Sequence, residues 1–330
     1  MAQLVFLVSL PRSGSTLLQR MLSVSTDIAC TAEPWVMLPF WGMRDPSAGR
    51  AVYFHHTAAD AINDFIAGMP SGETVFDASV RAYAETIYQG AAQGKRYFLD
   101  KTPRYFLMLP MLRRIFPEAR FIVLTRNPLA VLASIGETFY RGRFMWPDYW
   151  IDWLEGHAAL ANAINTPDAN LRVVRYESLA ERPTEVLREL CDWLDLPYSD
   201  AMVSEYREKT LHGRMGDPTG IKSYAGVSNA SLNKWQSFWG TDYRRGIARS
   251  MLDRIGDEQL AQLGYPRADL EALLVAMPLK PGFDLRGRLH VLVGKLALAM
   301  DYRYWQARYR ANRAGTAYAY GYFRPHSKKF

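Results

Sequence analysis

Cysteine is scarce in this sequence: the 330 residues hold only Cys30 and Cys191, far apart and with no CxxC pair. That argues against a disulfide framework. The six histidines add no ligand spacing to them, which argues against a structural zinc site and fits a reducing, cytoplasmic setting. No apolar run reaches the roughly 20 residues needed to span a bilayer. The apolar start, "LVFLVSL", lacks a basic flank and runs at once into a glycine loop, so it reads as a strand and not as a leader. Repeats and low-complexity segments are missing too. The net charge of +7 is lopsided, because eleven Lys/Arg from Lys280 onward face only Asp284 and Asp301. The body of the chain is thus nearly neutral, which argues against a nucleic-acid-binding core. The basic end points to a polyanion or to peripheral contact with the inner face of a membrane.

What is present is enough apolar and aromatic residue, 49% and 13%, to build a sizeable core. Apolar runs at Leu4–Leu10, Tyr97–Leu99, Arg120–Thr125 and Leu171–Arg175, with a shorter one at Ile28–Thr31, read as strands. Helical patterns follow at Thr16–Ser23, Tyr105–Ile115, Leu129–Gly136 and Pro183–Leu194. Such alternation predicts an α/β fold, a central parallel β-sheet flanked by helices. Residues 1–255 are expected to form the catalytic domain, with a helical insertion over about 35–94. Residues 256–330 form a basic, aromatic extension whose "LHVLVGKLALAM" suits either a packed helix or a membrane interface.

The first strand leads into "SLPRSGST" and then a helix. A strand–loop–helix junction binds phosphate because backbone N–H groups converge there and the helix dipole adds partial positive charge. Against the P-loop template G-x-x-x-x-G-K-[ST], only Gly14 and Thr16 match; Ser9 replaces the first glycine and Ser15 the lysine. Arg12 is the cation in its place, and its planar fork suits a compact anion. A second constellation, "FIVLTRNPLAVLAS", puts Arg126 at a strand end, Asn127 at an N-cap, Pro128 at the first helical position and Ser134 two turns on. Two anion sites on one sheet edge suit a ligand with two separated phosphate groups.

With both motifs in order, the sequence resembles the sulfotransferases that use 3′-phosphoadenosine 5′-phosphosulfate (PAPS). "PRSGSTLL" is similar to their 5′-phosphosulfate loop and "RNPLAVLAS" to their 3′-phosphate motif, and the likeness continues through "DKTPRYFLMLPMLRRIFPEARFIVLTRNP", "VVRYESLAERPTEVLRELCDWLDLP" and "SNASLNKWQSFW". The resemblance implies a P-loop-like sulfotransferase fold and PAPS as co-substrate, with no metal required. It implies that Arg12, Ser13, Gly14, Ser15 and Thr16 hold the 5′-phosphosulfate, Arg126 and Ser134 the 3′-phosphate, Tyr176 the adenine, and that Lys234 closes over the 3′-phosphate. Arg12 and Lys101, in "FLDKTPRY", would stabilise the leaving oxygen. Phenol-type members carry a histidine base where this chain has Pro103; Glu33, in "CTAEPW", resembles the base of the tyrosylprotein branch. His55 and His56 are weaker candidates for the base, Thr219 for a hydroxyl near the sulfuryl group, and Lys222 is a further candidate.

The expected reaction is sulfuryl transfer to a hydroxyl acceptor, preferably a cell-surface or exopolysaccharide sugar, with a protein tyrosine or a small molecule as alternatives. Two other classes stay open at this point. A P-loop kinase would need a loop lysine and a metal-holding carboxylate, for which Asp100 is the only strand-end candidate. A non-catalytic glycan- or membrane-binding protein would make use of the basic, tyrosine-rich end.

Overall fold

The computed structural model describes residues 1–45, 55–140, 142, 150–166, 168–213, 234–280 and 282–300. In chain order the elements are β1 (Gln3–Ser9), α1 (Ser15–Leu22), β2 (Ile28–Cys30), α2 (Leu38–Arg44), α3 (His55–Ala67), α4 (Gly72–Ala92), β3 (Tyr97–Asp100), α5 (Leu109–Ile115), β4 (Arg120–Thr125), α6 (Pro128–Tyr140), α7 (Trp150–Asn165), β5 (Leu171–Arg175), α8 (Tyr176–Glu181), α9 (Pro183–Trp193), α10 (Ala201–Ser204), α11 (Asp242–Ile255), α12 (Asp257–Gln262), α13 (Arg267–Ala276) and α14 (Leu285–Ala299). Short 3-10 helices occupy Pro103–Met108 and Lys234–Trp239.

The five strands form one sheet in the order β2-β3-β1-β4-β5, and every pairing is parallel. This is the α/β architecture that the alternating pattern predicts. β1 lies at the centre and is buried along nearly its whole length, as a strand covered on both faces must be. Its odd-numbered residues Val5 and Leu7 join a core with Leu18, Met21 and Leu22 of α1 and Leu187, Leu190 and Leu194 of the α9 region. Its even-numbered Phe6 packs on the other face against Tyr88, Tyr105 and Phe121.

The chain divides into two compact units. The first holds the sheet, Met1–Pro34, Tyr88–Leu109 and Glu118–Gly294, and α12 and α13 pack within it beside α7 and α11. The second comprises Trp35–Ile87, Pro110–Pro117 and Lys295–Phe330. Inside it, Arg44 pairs with Glu73 and Arg114 with Asp77.

One helix boundary differs from the sequence expectation. The segment read as a single helix from Tyr105 to Ile115 is a 3-10 helix over Pro103–Met108 followed by α5. Pro110 lacks the N–H that a continuous α-helix would bond to residue 106, so the regular helix begins only beside it.

Candidate active site

Each strand delivers a site residue at its carboxyl end: Arg12 after β1, Glu33 after β2, Lys101 after β3, Arg126 after β4 and Tyr176 after β5. In a parallel sheet those ends share one edge, and the strand order reverses beside β1, where open α/β sheets bind ligands.

The loop after β1 turns sharply into α1. Arg12 has φ 68° and Gly14 φ 94°, so both occupy the left-handed region. At Gly14 the turn requires glycine twice over: a Cβ there would lie 2.3 Å from Tyr176 Cδ2, and the backbone itself disfavours an L side chain. Gly14 also caps α1, its carbonyl accepting from the Leu17 and Leu18 N–H groups. Arg12 holds the same conformation with a side chain, at a cost of about 1–2 kcal/mol. Ser13 and Ser15 are buried in the loop.

The two anion motifs meet. Arg12 Nε donates to Ser134 Oγ at 3.2 Å, and an Arg126 Nη donates to the Arg12 carbonyl at 2.8 Å. α6 begins as expected: Pro128 is its first residue, and the Asn127 side-chain oxygen accepts from the Leu129 N–H at 2.9 Å. Arg126 lies over the Tyr176 ring, 4.2 Å from its centroid. Its Nε is buried and has no hydrogen-bond partner among the described residues. Burial pushes the Arg126 guanidinium below its ordinary value, with Tyr176 and Glu177 opposing the shift. A buried donor left over on a desolvated cation is suited to an anion.

Lys101 and Glu33 form the second half of the site. Lys101 Nζ donates to Glu33 Oε1 at 2.7 Å and lies 3.3 Å from Thr16 Oγ1; the two side chains are 1% and 11% exposed. One buried lysine thus bridges the phosphate loop and the proposed base. The neighbouring Asp100 takes no part. It accepts from the Tyr88, Tyr105 and Thr102 hydroxyls at 2.6, 2.7 and 2.9 Å, and burial pushes its carboxyl up to about 6. Asp100 therefore makes no direct side-chain bond to Lys101, although the lysine's charge still favours its ionised form. The arrangement also argues against the metal-holding role that a kinase reading would give Asp100, since its oxygens already accept from three hydroxyls.

The structure adds two residues that the sequence reading did not single out. Glu177 Oε1 accepts from the Asn127 N–H at 3.0 Å, and Glu177 Oε2 accepts from the Tyr265 hydroxyl at 2.6 Å. They tie the Arg126 turn to the α12–α13 junction. The 3-10 helix that begins at Lys234 packs on α6: the Phe238 ring fills the space a Cβ on Gly136 would need, and Trp239 Nε1 donates to the Leu129 carbonyl. The Lys234 side chain, Thr219, Lys222 and the His56 side chain lie outside what is described. His55 begins α3 in the second unit, where a ring nitrogen lies 3.1 Å from the Asp45 carbonyl. The described residues contain no group of three or more His, Cys, Asp or Glu that could hold a metal ion, and no described helix is long and apolar enough to cross a membrane.

A parallel sheet that gathers a glycine turn, two arginines and a buried lysine at its switch point is an arrangement suited to a phosphate ester. Residues 4–200 match the model of the sulfotransferase family, and the chain belongs to that family. It is 32% identical over 292 residues to "Nodulation protein NoeE" of Sinorhizobium fredii, covering 80% of this chain and 66% of that protein. It is 24% identical to "Protein-tyrosine sulfotransferase 1" of Danio rerio, over 81% of this chain and 76% of that protein. Among solved structures, the sulfotransferase domain from the curacin biosynthetic pathway superposes with a TM-score of 0.56 at 20% identity, covering 80% of this chain and 98% of that one; this likeness shows the fold. The family reading from "PRSGSTLL" and "RNPLAVLAS" is borne out.

Proposed function

We propose that the protein transfers the sulfuryl group of PAPS to a hydroxyl of a cell-surface or exopolysaccharide sugar. The observation that carries this reading is the linkage of the two anion sites, Arg12 to Ser134 and Arg126 to the Arg12 carbonyl, with the Lys101–Glu33 pair on the same edge. The loop Arg12–Thr16 holds the 5′-phosphosulfate. Arg126, Ser134 and Lys234 hold the 3′-phosphate, and Tyr176 lies by the adenine. The unpartnered Arg126 Nε supports the fit of a second anionic group that an ordinary 5′-nucleotide lacks.

In the reaction, the acceptor oxygen forms a bond to sulfur while the bond from sulfur to the 5′-phosphate oxygen breaks. Glu33 takes the acceptor proton, and Arg12 and Lys101 stabilise the charge on the departing phosphate. The pairing couples these events. Once Glu33 is protonated, the Lys101 charge is no longer shared with a carboxylate and acts fully on the leaving group.

The sugar acceptor rests on the basic carboxy-terminal end, which suits a polyanionic or lipid-linked glycan, and the two isolated cysteines support a reducing, cytoplasmic setting for the reaction. A tyrosine acceptor is the second reading, favoured by the likeness to "Protein-tyrosine sulfotransferase 1". The test is calorimetric binding of 3′,5′-adenosine bisphosphate (PAP), followed by a screen of sugars, tyrosine peptides and small alcohols with labelled PAPS. Micromolar PAP binding and label on a glycan are expected. Failure to bind PAP overturns the donor assignment, and label only on peptide tyrosine overturns the acceptor.

A further inference from the structure

Helix α14 is built inside out. Among its described side-chain positions only Gly287 and Gly294 are buried, while Leu285, Leu289, Leu292 and Leu296 are all exposed. Leu285 is 67% exposed and Leu292 55%. Spacings of four, three and four residues put these leucines in one stripe along the helix, opposite the two glycines. Arg286 flanks the stripe on one side, and Arg288 and Lys295 flank it on the other; all three are exposed. Phe283, just before the helix, is also exposed.

The helix start is nonetheless anchored. Asp284 accepts from Arg244 Nε at 2.9 Å, from Thr241 Oγ1 at 3.2 Å and from the Gly287 N–H at 2.7 Å. Arg288 lies over the Tyr243 ring. The leucine face is therefore presented by a helix whose first turn is fixed in place.

We propose that this face is a docking surface for an anionic phospholipid bilayer. The leucines enter the interface and the arginines and lysine reach the headgroup phosphates. Charge selects this occupant over a second copy of the chain. Residues 285–299 carry Arg286, Arg288, His290 and Lys295 and no acidic residue, so pairing two such helices would place like charges together. The sequence after residue 300 is also strongly basic, with seven Lys/Arg against Asp301. A surface that must be both apolar and negatively charged is met by acidic lipid. The proposal does not depend on which acceptor the enzyme sulfates.

The test is co-sedimentation of the full chain with vesicles of phosphatidylcholine containing phosphatidylglycerol, against pure phosphatidylcholine. Binding to the acidic vesicles that weakens in high salt is expected. The combined change Leu289→Gln, Leu292→Gln, Leu296→Gln should weaken partitioning by at least about tenfold, with thermal unfolding and PAP binding unchanged. As a readout that does not rely on lost binding, a nitroxide on Leu292→Cys should gain oxygen accessibility when acidic vesicles are added. The proposal is overturned by absent binding to acidic vesicles, by wild-type binding of the triple variant, by an unresponsive nitroxide, or by a wild-type dimer that the triple variant converts to monomer.

Discussion

Replacing Glu33 by glutamine separates two tasks of one carboxylate, its observed pairing with Lys101 and its proposed role as base. Glu33 is the proposed proton acceptor, and it is also the partner of Lys101 at 2.7 Å, with the lysine 1% exposed. Glutamine keeps the shape and one acceptor oxygen but removes the charge. Stripping a buried ion pair of one partner costs about 3–5 kcal/mol, and with an amide oxygen still accepting a bond about 1–3 kcal/mol of stability should be lost. Turnover should fall roughly 10²–10⁴-fold, about 3–5 kcal/mol of barrier, because the proton has no acceptor. PAP affinity should stay close to wild type, since the phosphate loop and Arg126 are untouched. The assays are urea unfolding, PAP calorimetry and single-turnover transfer from labelled PAPS to the acceptor found in the screen. Lys101→Met and the double variant complete the cycle. If Glu33 only holds Lys101 in place, the double variant will be no slower than Lys101→Met. If Glu33 is the base, adding Glu33→Gln slows Lys101→Met further. Turnover near wild type in Glu33→Gln would refute the reasoning outright.

Three further outcomes are expected. Gly14→Ala puts a Cβ 2.3 Å from Tyr176 Cδ2 at φ 94°; it should lose roughly 1–3 kcal/mol of stability and most PAP binding, read by melting with and without PAP. Arg126→Gln should weaken PAPS binding about 10–100-fold and abolish discrimination against adenosine 5′-phosphosulfate, which lacks the 3′-phosphate; calorimetry with both ligands checks this. Two buried groups should oppose each other in acid. Burial raises Asp100 from 3.8 to about 6, so the folded protein binds the extra proton and this contribution to stability fades as pH rises through 6. Burial lowers His157 from 6.5 to about 4, so its contribution is present above 6.5 and fades as pH falls towards 4. Asp100→Asn, whose amide can serve the same three hydroxyls, should therefore make stability fall more steeply below pH 6.5, by roughly 1–3 kcal/mol across the window. Denaturation midpoints between pH 4 and 7 test the sign; a variant whose profile matches wild type contradicts it.

The sheet was legible because its strands are short apolar runs bounded by punctuation, and because the motifs sit at strand ends where the fold must gather them. The Arg126 turn could be read down to its cap, since Asn127 and Pro128 act locally. Contacts that depend on strand order could not be read. Lys101 and Glu33 are 68 positions apart and meet because β2 and β3 are neighbours; no spacing in the sequence says so. Tyr265 is 88 positions from Glu177 and reaches it from the segment assigned to the extension. The 3-10 turn before α5 was missed for a different reason: apolar periodicity masked the missing N–H of Pro110.

The way the cations are held orders the chemistry. Arg126 donates to a carbonyl and Arg12 to a hydroxyl, bonds to neutral oxygens that fix a guanidinium in place without using a carboxylate, while Glu177 favours the charged form of Arg126 from nearby. Lys101 is held by a carboxylate, which does cancel it. Those bonds hold the two arginines in position for an anionic donor, whereas Lys101 gains its full effect only when Glu33 is neutralised. In the proposed reaction that neutralisation is the proton transfer from the acceptor. The geometry thus favours a donor that binds readily and reacts slowly until a hydroxyl is in place, so hydrolysis of PAPS without acceptor should be slow relative to transfer. Release of PAP from labelled PAPS, followed with and without acceptor, measures the ratio. Equal rates would show that the Lys101–Glu33 pair does not link acceptor deprotonation to departure of the phosphate.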